Sequence, residues 1–462
     1  MRDEPFIFQF HNPVGYFVYD INKNKVIEVR KQFYQALQDR LSNGGEEYKT
    51  FPEYAELKEE GYLSSKSPEK IWNPLSDYVH TYVGKYLNNL TLQVTQGCNL
   101  RCSYCYYSGD GSLTRKHNNV AMTWDIAKKT IDFFKEHSEE SEDVTIGFYG
   151  GEPLLNFKLI RQCVDYANNV LIDKRINYTI TTNGTVLNNE IISFLEKNRV
   201  HLLVSLDGPQ EVHDSNRRYA HNGSGSFEKV YRNLVMLREM APEYYKKIEI
   251  NAVIENDCDY SGAKNFFEED ELFAGIKVNL NKVQDFLLNE RYMDTPEFAC
   301  AEKTDYLKSL LGQLSGYKGD VRRRDEISLL HLKNMFTETE GLPEIFHHNG
   351  PCIPGYEKLF VNIYGEFFPC VNASEKSEMM RFGTIFSGYD FERIEQLLNI
   401  GVLTEERCLN CPAMRICKIC QNEIDNISEL STEIKHQKCN VTMYQFENYL
   451  NDYTVYKKIG VI

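Results

Sequence analysis

Six short apolar segments separated by helical periods constrain the middle of this chain more than any other feature. The segments are Leu90–Val94, Thr145–Tyr149, Tyr178–Thr182, Leu202–Leu206, Ile248–Val253 and Ile276–Leu280. Helical apolar periods lie between them, for example over Trp124–His137, Leu159–Leu171 and Glu190–Lys197. Strands alternating with helices predict an α/β fold with a parallel sheet and crossover helices. Six such units over residues 86–300 predict an open or partial (β/α)6 barrel. In barrels of this kind the reactive residues gather at the C-terminal ends of the strands.

The first strand runs straight into Gln96-Gly-Cys98-Asn-Leu-Arg-Cys102-Ser-Tyr-Cys105-Tyr-Tyr. Three thiolates at CxxxCxxC spacing can hold three irons of a cubane cluster. Four cysteines make a closed iron–sulfur site, so three in one tight loop predict an open, reactive one. A second cysteine-rich region follows residue 346. Cys352 is separated by 12 residues from Gly365, which precedes Cys370 by four; then come Cys408-x2-Cys411-x5-Cys417-x2-Cys420 and Cys439. The paired CxxC spacing alone is open to two readings, a tetrahedral zinc ribbon or iron–sulfur clusters. Seven cysteines fit two clusters better than closed zinc sites. Of the 13 cysteines three others remain. Cys163 has apolar neighbours and reads as core, Cys258 lies in a turn-like stretch, and Cys300 is a candidate for an auxiliary cluster.

Four motifs in order carry a family resemblance: CxxxCxxC, Gly150-Gly-Glu-Pro153, Thr181-Thr-Asn-Gly-Thr185 and Ser205-Leu-Asp-Gly-Pro209. Each ends a predicted strand, and together they resemble the radical S-adenosylmethionine (SAM) superfamily over roughly residues 86–300. The resemblance implies a [4Fe–4S] cluster on Cys98, Cys102 and Cys105, with SAM chelating the open iron and yielding a 5′-deoxyadenosyl radical. It implies SAM contacts at Gly150, Gly151 and Glu152, at Asn183, at Ser205, Asp207 and Arg217, and at Tyr104 and Leu280 around the adenine. Gly150 and Gly151 are expected to let the backbone approach SAM without a Cβ. For Arg217 alone, a surface arginine is an equal reading.

The C-terminal cysteines resemble the SPASM extension of such enzymes, although the last pair, Cys417 and Cys420, is spaced by two residues where the family has three. The resemblance implies two auxiliary [4Fe–4S] clusters, one on Cys408, Cys411, Cys417 and Cys439, the other on Cys352, Cys370 and Cys420. That makes three clusters. Seven cysteines for eight places leave an iron of the second group open to a substrate thiolate.

The expected domains are residues 1–85, a radical SAM barrel over 86–300, a helical bridge over 301–345, a SPASM domain over 346–450 and a tail over 451–462. Gly15–Asp20 and Lys25–Val29 read as paired strands, followed by helices near Lys31–Leu41 and Phe51–Glu60 and a stop at Gly61–Leu63. Beside a SPASM enzyme, this pattern resembles the winged-helix element with which peptide maturases recognise a leader peptide by adding it as a strand. The function expected is thioether crosslinking of a ribosomally made cysteine-rich peptide, of the sactipeptide or ranthipeptide kind. Formylglycine formation, a carbon–carbon crosslink and epimerisation are alternatives, and a cluster-bearing electron carrier is one from another class. A flavodoxin or ferredoxin is the expected reductant.

The formal net charge of −15 argues against a nucleic-acid partner. No run of 18 apolar residues predicts a membrane span, and no signal-peptide core opens the chain, so a cytoplasmic setting is expected. His347-His348 reads as a solvated pair, Gly223-Ser-Gly225 as a turn, and Arg322-Arg-Arg-Asp325 as a solvated helix face.

Overall fold

The computed structural model describes residues 4–43, 45–108, 114–255, 260–283, 295–314 and 330–462. Three antiparallel strands open it: β1 (Ile7–Asn12), β2 (Gly15–Asp20) and β3 (Lys25–Val29), in that order across the sheet. β1 adds to the expected pair of strands. Helices Lys31–Asn43 and Pro52–Glu59 follow, and Gly61, at φ +85°, ends the second. Alternation along the strands gives the sheet two apolar faces. Val18 and Val29 pack under these helices with Phe33, Leu37 and Leu57. Phe17, Tyr19 and Val26 pack against Phe336, Phe446 and Tyr456 from the far end of the chain. The N-terminal sheet is therefore sandwiched, its second covering layer coming from the C-terminal region.

A two-residue strand β4 (Lys70–Ile71) pairs in parallel with a later segment, Ile345–Phe346. The central sheet holds β5 (Asn89–Thr95), β6 (Asp143–Gly150), β7 (Arg175–Thr182), β8 (His201–Ser205), β9 (Glu249–Ile254) and β10 (Lys277–Lys282), all parallel and each beside its predecessor. All six expected strands are present. Leu90, Leu92, Val94, Ile146, Phe148 and Ile180 are buried in one core with the crossover helices. The helix Trp124–His137 is capped by Thr123, whose hydroxyl accepts from the Ile126 N–H, and it carries Asp125 in its first turn and Lys135 and His137 in its last. That polarity suits the helix dipole.

The barrel stays open. Numbering Ile345–Phe346 as β11, the next strand β12 (Leu359–Val361) lies parallel to β5, and β13 (Phe367–Phe368) runs antiparallel to β12. The cysteine-rich region thus continues the barrel's own sheet past its first strand.

Two helices run through expected boundaries. Pro296–Leu314 crosses residue 300, and Thr432–Lys458 crosses residue 450 without a break. In the second, Leu450, Thr454 and Tyr456 stay on the buried side, so the chain end packs as helix. The charge run at Arg322 and the turn at Cys258 lie outside the described residues. Among the described residues no helix is long and apolar enough to cross a membrane.

Candidate active site and the cysteine groups beside it

The loop carrying Cys98, Cys102 and Cys105 leaves the C-terminal end of β5 and is gripped from two sides. On one side the Gly151 N–H donates to Thr95 O (3.0 Å) and the Glu152 N–H to Gly97 O (2.8 Å). On the other, Arg101 N–H donates to Arg218 O (2.8 Å) and Ala220 N–H to Asn99 O (2.9 Å). This close docking explains both glycines. A Cβ on Gly150, which sits at φ +146°, would lie 2.0 Å from Thr95 O, and one on Gly151 would lie 2.2 Å from Gly97 O. Both glycines make room for the cysteine loop's own backbone.

The three thiols are neighbours. Cys98 feels Cys102 and Cys105, and Cys102 feels Cys105. Burial pushes Cys98 up to about 12, opposed by the Leu100 N–H, which donates to its sulfur at 3.4 Å. Burial pushes Cys102 up to about 11, opposed by the Arg217 guanidinium. Buried thiols hold their protons, so loading metal here means expelling them. His117 Nε2 stands 3.6 Å from Cys105 Sγ, and burial lowers its pKa to about 4.

The residues expected around SAM converge on this loop. Glu152 is buried. Its Oε1 accepts from the Leu154 N–H (3.0 Å) and the Thr182 hydroxyl (2.7 Å), and its Oε2 from the Asn183 N–H (2.7 Å). Burial raises its pKa to about 7 while these donors favour the charged form. The carboxylate therefore ties the ends of β6 and β7 together. Asn183 donates through Nδ2 to Asn99 Oδ1 (2.9 Å) and approaches Cys98 Sγ at 4.0 Å. Arg217 is buried, so the surface reading fails. Its Nε and Nη2 donate to the two oxygens of Asp207 at 2.8 and 3.0 Å. Asp207 also accepts from the Tyr104 hydroxyl (2.6 Å) and the Val253 N–H (2.9 Å). Ser205 is buried at the end of β8, and Leu280 is buried in the core cluster from β10.

A second network beside the loop escaped the sequence reading. Glu375 accepts from Arg115 Nε (2.7 Å), Gln93 Nε2 (2.5 Å) and Gln96 Nε2 (3.2 Å). The Arg115 guanidinium lies 3.8 Å from the centre of the Tyr107 ring. It joins β5 to the segment just after Cys370 over a separation of 260 residues or more, which no local pattern encodes.

The seven later cysteines form two groups. Cys408, Cys411, Cys417 and Cys439 line one cavity, with His348 and Lys435 also on its wall. Burial pushes Cys411 up to about 11 and Cys417 up to about 12. Lys435 is lowered by burial and raised by Cys408, Cys439 and Cys417. In the other group Cys370 acts on both Cys352 and Cys420, and Asn422 Nδ2 donates to Cys370 Sγ at 3.0 Å. The two regions adjoin: the Tyr149 hydroxyl, raised to about 12 mainly by burial, feels both Cys105 and Cys370.

His347 and His348 are buried, against the reading of a solvated pair. His347 Nε2 accepts from the Gly401 N–H at 2.8 Å, and a side chain on Gly401 would collide with that ring. His348 Nε2 is buried without a hydrogen-bond partner. Cys163 is fully buried, as expected. Cys300 is exposed and lines a surface groove with Lys264 and Glu268, where among the described residues there is no other cysteine.

Residues 92–266 match the family model of the radical SAM superfamily. The chain is 32% identical over 165 residues to the radical SAM cyclopropyl synthase TigE of Paramaledivibacter caminithermalis, a match covering 34% of each chain. It is 33% identical over 163 residues to the cysteine-type anaerobic sulfatase-maturating enzyme of Clostridium novyi, covering 35% of this chain and 42% of that one. The chain thus spans less than half the length of these curated relatives. The solved structure of anSMEcpe with bound AdoMet superposes with a TM-score of 0.58 at 21% identity, covering 79% of this chain and 99% of that one. The chain carries a radical SAM domain, on a fold it shares with a sulfatase-maturating enzyme.

Proposed function

We propose that this radical SAM chain matures a ribosomally made, cysteine-containing peptide by joining cysteine sulfur to carbon. On this reading Cys98, Cys102 and Cys105 hold a [4Fe–4S] cluster whose fourth iron binds SAM. Cys408, Cys411, Cys417 and Cys439 hold a second cluster, and Cys352, Cys370 and Cys420 a third. Together cluster and SAM supply a carbon radical that takes hydrogen from the peptide, while the protein orients the partners and excludes side reactions. Glu152, Asn183, Asp207 and Arg217 are the chain's own contribution: a prearranged polar wall, most of whose hydrogen bonds are already made, so little reorganises when a ligand arrives.

Seven cysteines in two groups suit two clusters better than closed zinc sites, each of which takes four ligands.

The observation that carries the thioether reading is the group of three, Cys352, Cys370 and Cys420. Among the described residues no fourth cysteine joins it, and Cys300 faces a different groove. A vacant iron there gives a substrate sulfur a place to bind as thiolate. A precursor whose cysteines are changed to serine is therefore expected to bind with near-normal affinity and to emerge uncrosslinked. Co-expression and mass spectrometry checks this. A bridged peptide keeps its sulfur and loses two hydrogens per bridge. The second reading, formylglycine formation, is favoured by the likeness to the cysteine-type sulfatase-maturating enzyme; it predicts a product that has lost sulfur.

The N-terminal sheet is the proposed leader-binding element, and β3 is its free edge. The two-residue turn between β1 and β2 makes Asn12 and Gly15 a hydrogen-bonded closing pair. Counting across the alternating ladder leaves the N–H groups of Val26 and Glu28 pointing outward from β3. No described backbone group outside the sheet takes them. Glu28→Pro removes one outward N–H and is tolerated best on an edge strand. It is expected to weaken binding of a leader peptide at least about tenfold, the scale of about 1.4 kcal/mol, with reductive SAM cleavage unchanged. Glu28→Ala, which loses only the ion pair with Lys458, is the control. Equal peptide affinity for wild type and the proline variant, measured by fluorescence anisotropy, would remove β3 from recognition.

A further inference from the structure

Lys435 is almost wholly buried, at 1% exposure, and it is a cation without a carboxylate. Its Nζ donates to Ile400 O (2.6 Å), to Thr404 Oγ1 (2.8 Å) and, at 3.9 Å, to Cys408 Sγ. Three acceptors around one nitrogen use all three hydrogens of an ammonium, whereas a neutral amine has only two to give. Among the described residues the groups that act on it electrostatically are Cys408, Cys439 and Cys417, which become negative when a cluster displaces their protons. Thr404 completes the arrangement. Its oxygen already accepts from Lys435, so its own hydrogen is free for Cys408 Sγ, 3.4 Å away. One cysteine of the four thus faces two donors, one of them charged.

We propose that Lys435 is the built-in counter-charge of the cluster held by Cys408, Cys411, Cys417 and Cys439, and that with Thr404 it sets that cluster's reduction potential through Cys408. This rests on reading the four cysteines as a cluster site. An isolated buried charge is costly. Four thiolates around an iron–sulfur cluster carry net negative charge, so here the cation and the anion compensate each other. Reduction adds a further negative charge, and nearby positive charge and hydrogen bonds to sulfur favour it. Lys435 and Thr404 therefore hold this cluster at a higher potential than it would have in an apolar pocket. The neighbouring group on Cys352, Cys370 and Cys420 has a neutral amide, Asn422, on Cys370, and at Cys352 the positive Lys358 is opposed by Glu357. The two auxiliary clusters are thereby graded, and the one beside Lys435 is the easier to reduce.

The test is potentiometric titration of the reconstituted holoenzyme followed by electron paramagnetic resonance. Cys411→Ala first identifies the signal and the iron that belong to this site. K435M is expected to keep full iron and to move that one midpoint to more negative potential by at least tenfold in the reduction equilibrium, about 59 mV for one electron. T404V is expected to move it the same way by less, and T404S, which keeps the hydroxyl, to restore it. Where K435M fails to load iron, T404V and T404S decide. Unmoved midpoints at full iron content in K435M, or in T404V where it alone decides, overturn the proposal. If Cys411→Ala instead removes no cluster, the four-cysteine reading itself is wrong, and the two failures are told apart.

Discussion

Protein carrying Cys98→Ala, Cys102→Ala and Cys105→Ala together, reconstituted anaerobically with iron and sulfide, is expected to hold one cluster fewer than wild type and to cleave no SAM. The loss should be complete rather than graded. His117 is the nearest other donor, beside Cys105, and one imidazole does not replace three thiolates. The fold should survive, because the loop is held by backbone hydrogen bonds to Gly151, Glu152, Arg218 and Ala220 rather than by its sulfurs. Circular dichroism and iron counting separate a folded, cluster-depleted protein from a collapsed one. Reductive SAM cleavage persisting in the folded triple variant would refute the assignment of this loop.

Gly151→Ala is expected to slow SAM cleavage severely, though not to abolish it, without removing any ligand. The new methyl would lie 2.2 Å from Gly97 O and 3.0 Å from the Cys98 Cβ. An ordinary contact is about 3.5 Å, so the loop must retreat by roughly 1 Å. Displacements of that size cost on the order of a hundredfold where reacting groups must be aligned. The expected outcome is therefore a hundredfold slower SAM cleavage, with iron content near that of wild type. Gly84→Ala is the control: a Cβ there meets nothing within 4 Å. Normal cleavage by the Gly151 variant would mean that the loop tolerates the shift, and that the glycine serves packing alone.

The parts of this architecture that repeat locally could be read from the chain. The six barrel strands announce themselves by apolar runs of strand length between helical periods, and their ends fall within a few residues of those expected. The grouping of the later cysteines rests on the family resemblance and not on spacing: Cys417 and Cys420 form a CxxC pair, yet Cys417 lines the cavity with Cys408, Cys411 and Cys439 while Cys420 lies by Cys370. What the sequence hid is what crosses it. The Arg115–Glu375 pair spans 260 residues, and Glu375 in isolation is an ordinary surface-type acid. His347 and His348 looked solvated because nothing nearby in sequence says that the Gly401 N–H will meet them. Lys435 sits in a polar stretch of helix whose neighbours give no sign that its ammonium is buried among thiols. The crowding of Gly150 and Gly151 by Thr95 and Gly97 was hidden for the same reason: that backbone belongs to the end of the preceding strand, more than fifty residues earlier.

The two ends of the polypeptide close on one another, and this sets an order of events during synthesis. Lys458 reaches Glu28 across 430 residues, and the Phe446 ring meets Phe8 at a tilt and Tyr19 edge-on. β1 to β3 are thus synthesised long before the residues that cover them. At about 5–20 residues per second, β1 to β3 wait on the order of tens of seconds with Phe17, Tyr19 and Val26 uncovered. During that interval the nascent sheet has an apolar face and a free edge at once, and it depends on chaperones or on its own helices to stay out of wrong pairings. Loss of the helix from Phe446 onward would take away much of the sheet's covering layer for good, so damage there would be felt at the N-terminal sheet.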